Sequence, residues 1–479
     1  MGSSKNIIRI EERNKTCRID IVRTKKEKLV ERIDTITKSL SRKYFNNILR
    51  VLADKNAENV EIICDYIIVE QTEINIKDST KEGKIKVLVW LSNFFEDKLS
   101  FREMTKQDIL RYLNSLRKSN SDDLSQRWIG SYNGRQIIFN KFFRWLYNPD
   151  EPNSKNRETP NCMKGIKKLP RKDKTPYKPS DIWEPREHAV FLKYCPSKRD
   201  RCYHALANDM SARPHEILNL KIKDIVFKKT DDGKQYAEVR IISGKTGSRT
   251  IPLIDSLPYV KDWLHEHPSG TNPDSWLFVS LGNNHGFKFT YEGLSSHYEY
   301  YKKKFFPELL RNDTFPETDK AIIKNMLTKP WNLYVLRHSA LTEKSQILKE
   351  HVLRDHAGWS MSSQMPEIYI HYFGNESSKS LLEAKGIIKK EDQEQTIVLK
   401  SKQCPNCNEP NKPDSKFCSK CNMILSYNSY QETIEGDKNK ETEIMKIKEE
   451  IDFLKKSQNE ILELLKYPKK LGEFLKIEQ

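Results

Sequence analysis

No apolar run in the chain approaches the roughly 20 residues that a membrane-spanning helix needs, so an integral membrane protein is not expected. The first residues, MGSSKNIIRIEERNK, lack the apolar core of a secretory signal, and MGSSKN matches an N-myristoylation pattern only superficially. Nine cysteines are too few and too unevenly spread for a disulfide framework. Five are scattered (Cys17, Cys64, Cys162, Cys195, Cys202) and four form two tight pairs, which fits a reducing, cytoplasmic setting with one metal site. Acidic residues are in deficit: 67 Asp and Glu face 84 Lys and Arg, a net charge of +17. A polyanionic partner is expected, and nucleic acid is the commonest. At 479 residues the chain is too long for one compact domain, so two or three domains with extensions are expected.

What is present falls into blocks. Residues 1–41 read as a basic arm. Residues 42–149 carry four amphipathic patterns that predict a small helical bundle. Val60, Ile63, Ile67 and Ile68 share one helix; Ile85, Leu88, Val89, Leu91 and Phe95 share a second. Thr105 caps a third with Ile109, Tyr112, Leu113 and Leu116 on one side. The fourth, from about 131 to 147, interleaves Arg135, Lys141 and Arg144 with aromatic residues. That mixture suits a DNA-facing helix, and equally a structural helix whose basic residues are only solvated. Residues 150–183, rich in Pro, Asn, Lys and Ser with few aliphatics, read as a basic linker. Residues 184–386 form a mainly helical second domain with a small antiparallel hairpin, YAEVRII and SRTIPL around SGKTG. Residues 387–403 are a polar connector.

Within 184–386 four segments occur in a fixed order: SARPHEILNL, GKTGSRTIPL, YVLRHSALT and AGWSMSSQMPEIYIHY. Together they resemble the catalytic domain of tyrosine recombinases (phage-type integrases), with the archaeal integrases in the form of the last segment. The preceding bundle resembles that family's core-binding domain. The fold class expected is therefore mainly α and multidomain, a helical core-binding bundle plus an α+β catalytic domain. The resemblance implies an enzyme that cuts and rejoins double-stranded DNA through a 3′-phosphotyrosine, without metal or ATP, as a homo-oligomer, a tetramer in the family's manner, on DNA in the nucleoid.

The chemistry asked of these residues is physical. Charge gathers on the equatorial oxygens of a phosphodiester under attack, and two guanidinium forks can clamp it. Arg213 and Arg337 hold those positions, with Glu216 one turn from Arg213 to orient it. Tyr369 matches the nucleophile, and Tyr372, three residues on, is its rival. Lys245 at the hairpin tip matches the lysine that protonates the leaving 5′ oxygen; Lys229 and Lys234 are alternatives. Two positions depart from the family. Tyr334 stands where histidine is usual three residues before the second arginine, and Trp359 stands where the third segment often has histidine. Indole N–H keeps a donor and loses proton transfer. His338 matches the family's Arg-His pair, where it supports the structure. Two other readings stay open: relaxation of DNA in the manner of a type IB topoisomerase, and a DNA-binding regulator that has lost activity.

Two further blocks follow. Cys404, Cys407, Cys418 and Cys421, as two CxxC pairs within 404–425, predict a zinc ribbon with one structural ion, four thiolates leaving no open position; redox use of the pairs is the alternative. In 440–467, Ile444, Ile447, Ile451, Leu454, Gln458, Ile461 and Leu465 recur at alternating spacings of 3 and 4, the seam of a coiled-coil helix or the face of a helix packed on its own chain. Residues 468–479 are a basic tail.

Overall fold

The computed structural model describes residues 24–40, 43–119, 123, 126–170, 177–242, 247–372, 385, 399–426, 444–459 and 462. The chain divides into two compact units, Met1–Lys174 and Thr175–Gln479. No helix among the described residues is long and apolar enough to cross a membrane.

The first unit is a helical bundle: α1 (Lys25–Thr37), α2 (Lys43–Lys55), α3 (Ala57–Ile74), α4 (Asp78–Phe94), α5 (Lys106–Asn114) and α6 (Trp128–Tyr147). Helix α1 starts where Thr24 and Glu27 close a reciprocal capping box, and α5 starts the same way on Thr105 and Asp108. Read from charge alone, residues 1–41 were expected to be an arm. The structure instead folds 25–37 into the bundle, because Leu29, Ile33 and Ile36 lie on one face and are buried in its core. The α3–α5 region is pinned by Asn59, which is fully buried. Its amide donates to Ser92 Oγ (3.2 Å) and the Leu99 carbonyl (3.0 Å), and its oxygen accepts from the Phe101 N–H (2.9 Å).

The stretch expected as linker is also different over its first two thirds. Cys162, Met163 and Ile166 enter the bundle core. Gln136 donates to the Ile166 carbonyl (2.9 Å), Asn133 exchanges two bonds with Leu169, and buried Arg157 pairs with Glu73. A segment with few aliphatics is held here mostly through its backbone, which hydropathy does not register.

The second unit is built on α8 (Lys198–Met210), whose Cys202, Tyr203, Leu206, Ala207 and Met210 are all buried. Around it lie α7 (Pro185–Tyr194), α9 (Pro214–Leu218), α10 (Leu257–Glu266), α11 (Tyr291–Tyr300), α12 (Phe306–Leu309), α13 (Glu317–Thr328), α14 (Leu333–Ile347), α15 (Glu350–Ala357) and α16 (Met365–Tyr372). The sheet is antiparallel in the order β1 (Ile225–Lys229), β2 (Gln235–Ile241), β3 (Arg249–Leu253). Its register pairs Ile225 with Val239 and Val239 with Ile251, which puts Ala237, Val239, Ile241, Ile251 and Leu253 on the core face. The β2–β3 hairpin is as expected, and β1 is an additional strand. Residues 243–246, including Lys245, lie outside the described residues.

Four histidines of this unit, His188 and His204 buried and His338 and His356 half-buried, are held as neutral rings. Burial holds His188 and His356 down to about 3 and His338 to about 4, and drives His204 well below the ordinary value. His188 and His204 share a hydrogen bond (2.8 Å), and His204 continues to the Tyr298 hydroxyl (3.0 Å). Their unfolded values lie near 6.5, so the unfolded chain binds more protons below that pH. Stability is expected to be full above about pH 6.5 and to fall as pH drops towards 4, by roughly 1.4 kcal/mol per pH unit for each such histidine. Urea unfolding between pH 7.5 and 4.5 measures it.

A two-stranded ribbon, β4 (Lys402–Gln403) with β5 (Pro410–Asn411), carries the four paired cysteines. Residues 444–459 are helical, α17, and Ile444, Ile447, Ile451 and Leu454 on it are exposed. Ile461 and Leu465 lie outside the described residues.

Candidate active site

The site is assembled on the C-terminal end of α15. Helix ends leave their last carbonyls without partners and carry partial negative charge. Here three successive carbonyls each accept from a different arginine. Arg249 Nε donates to the His356 carbonyl (3.1 Å), Arg337 Nη2 to the Ala357 carbonyl (2.9 Å) and Arg213 Nη2 to the Gly358 carbonyl (3.3 Å). The three arginines come from β3, α14 and the N-cap of α9. Arg213 and Arg337, far apart in sequence, thus meet at adjacent carbonyls.

Each arginine has a second anchor. Arg337 Nη1 donates to the Ser211 carbonyl, and Ser211 takes a left-handed conformation (φ 46°) at the end of α8 that aims it there. Glu216, fully buried, bridges the other two: its oxygens accept from Arg213 Nη1 (2.9 Å), the Arg213 N–H (3.0 Å) and Arg249 Nη2 (2.8 Å). Burial raises the Glu216 carboxyl, but the bonds from Arg249 and Arg213 outweigh it and hold it at about 2. Burial, then the charge of Arg213, brings Arg337 down to about 10, so it stays cationic at neutral pH.

Gly358 ends α15 with φ +63°. A Cβ there would lie 2.5 Å from Arg249 Nη1, so glycine serves both the left-handed turn and the approach of the guanidinium. Gly358→Ala is expected to cost about 1–3 kcal/mol in urea unfolding.

The tyrosine segment α16 packs on α14 and α15 through a small apolar cluster of Leu341, Leu353, Ala357, Trp359 and Tyr369, with Met365 and Ile368 against it. The Tyr369 ring stacks with two others, Trp359 (centroids 5.4 Å apart, 26° between planes) and His338 (5.7 Å, 23°). Its hydroxyl is 2.8 Å from His338 Nδ1. Burial pushes the phenol up, against the opposing charges of Arg337 and Arg213. The Arg337 guanidinium lies 6.0 Å from the Trp359 ring. Tyr177 packs on His338 (4.5 Å) and donates to Asn332 Oδ1 (2.7 Å), the cap of α14.

Arg213, Glu216, Arg337, His338, Trp359 and Tyr369 are therefore brought together. Tyr334, one turn before Arg337, is 39% exposed. Lys245 and the side chain of Tyr372 lie outside what the structure describes. Lys234 pairs with Asp232 (2.6 Å). In the first unit, Arg135 donates to the Tyr112 hydroxyl (2.6 Å) and covers the Trp90 ring, Arg144 donates to the carbonyls of Lys155 (3.0 Å) and Arg157, and Lys141 is exposed. Arg249, Ser211 and His356, whose Nε2 lies 3.3 Å from Ser211 Oγ, were not singled out from sequence. Arg249 had a signal: it is in phase with buried Ile251 and Leu253, and an arginine on the inward face of a strand needs a partner.

The second chemical centre is the cysteine cluster. The four Sγ atoms of Cys404, Cys407, Cys418 and Cys421 lie within 4.8 Å of one another, with Cys404–Cys421 and Cys407–Cys418 at 3.6 Å. That is too long for disulfides and close to the ~3.8 Å edge of a tetrahedron with metal–sulfur bonds of about 2.3 Å. Each second cysteine is followed by an asparagine in the left-handed region, Asn408 (φ 54°) and Asn422 (φ 57°), which folds both CxxC turns alike. The Lys420 N–H (3.4 Å) and the Asn411 amide (3.7 Å) point at Cys418 Sγ, as donors to a thiolate would. The donor set fits one zinc ion. The ribbon is anchored to the unit: buried Glu409 accepts from Gln235 (3.0 Å) and Lys261, and Lys412 pairs with Asp262.

No protein-family profile matches the chain, and no curated protein matches it. Among solved structures it is similar to the Tn1549 transposon integrase in complex with transposon right end DNA, at 14% identity and a TM-score of 0.44, over 67% of this chain and 98% of that one. It is similar to the XerH site-specific recombinase bound to palindromic difH substrate, at 16% identity and a TM-score of 0.44, over 75% and 97%. It is also similar to a lambda integrase dimer bound to a COC′ core site, at 12% identity and a TM-score of 0.43, over 71% and 84%.

Proposed function

We propose that this chain is a site-specific DNA recombinase of the tyrosine type. The observation that carries the reading is the meeting of Arg213 and Arg337 on adjacent carbonyls of the turn that leads through Trp359 to Tyr369. In this reading the Tyr369 oxygen attacks a DNA phosphorus, the two guanidiniums hold the charge that gathers on the equatorial oxygens, and the Trp359 indole adds a neutral donor. The P–O5′ bond breaks, a 3′-phosphotyrosine forms, and Lys245 is the proposed donor to the 5′ oxygen. A 5′-hydroxyl then attacks the phosphotyrosine, so the bond energy is kept and no nucleotide is needed.

Supporting parts follow the same reading. The exposed Lys141, with Arg135 and Arg144, is proposed to face the DNA backbone. The cysteine ribbon is proposed to hold zinc as a structural ion, bound as four thiolates. Exposed apolar residues of α17 are proposed to pair with the same helix of a second copy, within a tetramer on DNA.

The test is capture on a pool of end-labelled duplexes with a randomised core and a nick just 3′ of each candidate position. The wild-type chain is expected to give a label that survives denaturing electrophoresis, Tyr369→Phe to give none, and Tyr372→Phe to retain it. Persistence of the adduct in Tyr369→Phe would remove the assignment. Captured duplexes then separate strand exchange from plasmid relaxation.

A further inference from the structure

We propose that His338 is a catalytic residue of this site, the acceptor of the Tyr369 proton. This rests on the reading above and goes beyond the supporting place that its position beside Arg337 implies. The geometry that points to it is a direct contact with the reacting atom: Nδ1 lies 2.8 Å from the Tyr369 hydroxyl, with the two rings nearly parallel. A general base has to stand within such reach of the proton it takes. The position where the family usually places histidine is Tyr334, which is 39% exposed and not an imidazole. His338 is an imidazole that already touches the nucleophile.

The Tyr369 O–H bond breaks and its proton passes to Nδ1, which requires the tautomer with the proton on Nε2. The electron pair left on the phenol oxygen forms the O–P bond. The P–O5′ bond breaks and its pair leaves on the 5′ oxygen, which is protonated on the opposite side of phosphorus. In the return step the 5′-hydroxyl gives its proton back to the group that protonated the 5′ oxygen and attacks phosphorus, the P–O bond to Tyr369 breaks, and the imidazolium returns its proton to the phenol oxygen.

The surroundings make this base respond to substrate. His338 is faced by Tyr369 from α16, by Tyr177 from the segment before α7, and by its neighbour Arg337 on α14. Burial and then the Arg337 charge keep the ring neutral in the free protein, so the acceptor is vacant. A phosphate docked on Arg213 and Arg337 adds negative charge beside the ring. That offsets the Arg337 repulsion and favours the imidazolium, while the same arginines favour the phenolate. Proton transfer is thereby tied to an occupied phosphate site and does not run in its absence.

The test uses duplexes recovered by the capture above, in a second version with sulfur replacing the scissile bridging 5′ oxygen. A thiolate departs without a proton, so this substrate corrects defects on the leaving side only. For His338→Gln and His338→Asn, single-turnover adduct formation is expected to fall about 10²–10³-fold, with the duplex Kd unchanged and with no recovery on the sulfur substrate. The wild-type rate is expected to fall about tenfold per pH unit at the acid end, a limb that both variants lack. Rates within threefold of wild type, recovery on the sulfur substrate, or an acid limb that persists in the variants would each overturn the proposal. The wild-type pH profile needs no variant to fold, and absence of its acid limb would overturn it as well. Failure of the underlying reading looks different: no adduct with the wild-type chain, or an adduct that survives Tyr369→Phe.

Discussion

Arg337→Ala is expected to lower covalent adduct formation by about 10³-fold or more while leaving most of the affinity for duplex DNA. Two consequences follow from the geometry. The proposed phosphate site loses one of its two forks. The Ser211 and Ala357 carbonyls, buried and bonded to Arg337, lose their donor at the same time. Each such orphan costs about 1–3 kcal/mol, so unfolding stability falls as well. Arg337→Lys keeps the charge, but one ammonium cannot reach two carbonyls on different elements and also bind phosphate bidentately. It is expected to lie within about tenfold of the alanine variant in rate. A single-turnover assay with saturating duplex separates the catalytic loss from the binding term. An Arg337→Lys variant as fast as wild type would show that only charge matters here.

Metal removal is expected to have the second large effect. The purified chain should carry one zinc per molecule, released by a strong chelator together with protons taken up by the thiolates. The ribbon is anchored to the second unit through Glu409 with Gln235 and Lys261, and through Lys412 with Asp262. Its collapse would leave Lys261 without its carboxylate and Asp262 with Lys198 alone. An apparent Tm lower by on the order of 5–15 °C is expected in differential scanning fluorimetry, from a loss of roughly 3–5 kcal/mol. Cys418→Ser should reproduce it without chelator. An unchanged Tm on full metal removal would mean that the ribbon adds nothing to this unit.

Much of the candidate site was legible in the sequence because its residues sit inside contiguous segments of fixed order. Arg213 with Glu216, Arg337 with His338, and Trp359 with Tyr369 each occupy one segment, and the fold brings the three together. What was not legible depends on contacts between segments. Arg249 acts by donating to a carbonyl 107 residues away, and only its inward phase on β3 hinted at a buried partner. His338 was readable as a neighbour of Arg337, but its contact with the Tyr369 hydroxyl exists only once α14 and α16 pack. In the first unit, charge hid structure: KKEKLVERIDTIT reads as a basic arm until Leu29, Ile33 and Ile36 are seen to share a face. The stretch after α6 was read from its lack of aliphatics, while its attachment runs through backbone carbonyls and two amide side chains. The cysteine cluster was legible from spacing alone, since two CxxC turns determine their own geometry.

The most direct measurement is the chemical location of the bond to DNA. Adduct formed on a nicked duplex is digested with nuclease and protease, and the peptide that keeps a nucleotide remnant is sequenced by mass spectrometry. The account predicts a single modified peptide containing MPEIYIHY, with a 3′-phosphate joined to the oxygen of Tyr369 and a free 5′-hydroxyl on the released strand. A remnant on Tyr372, a 5′-phosphate linkage, or DNA cut without any protein-bound nucleotide would contradict it.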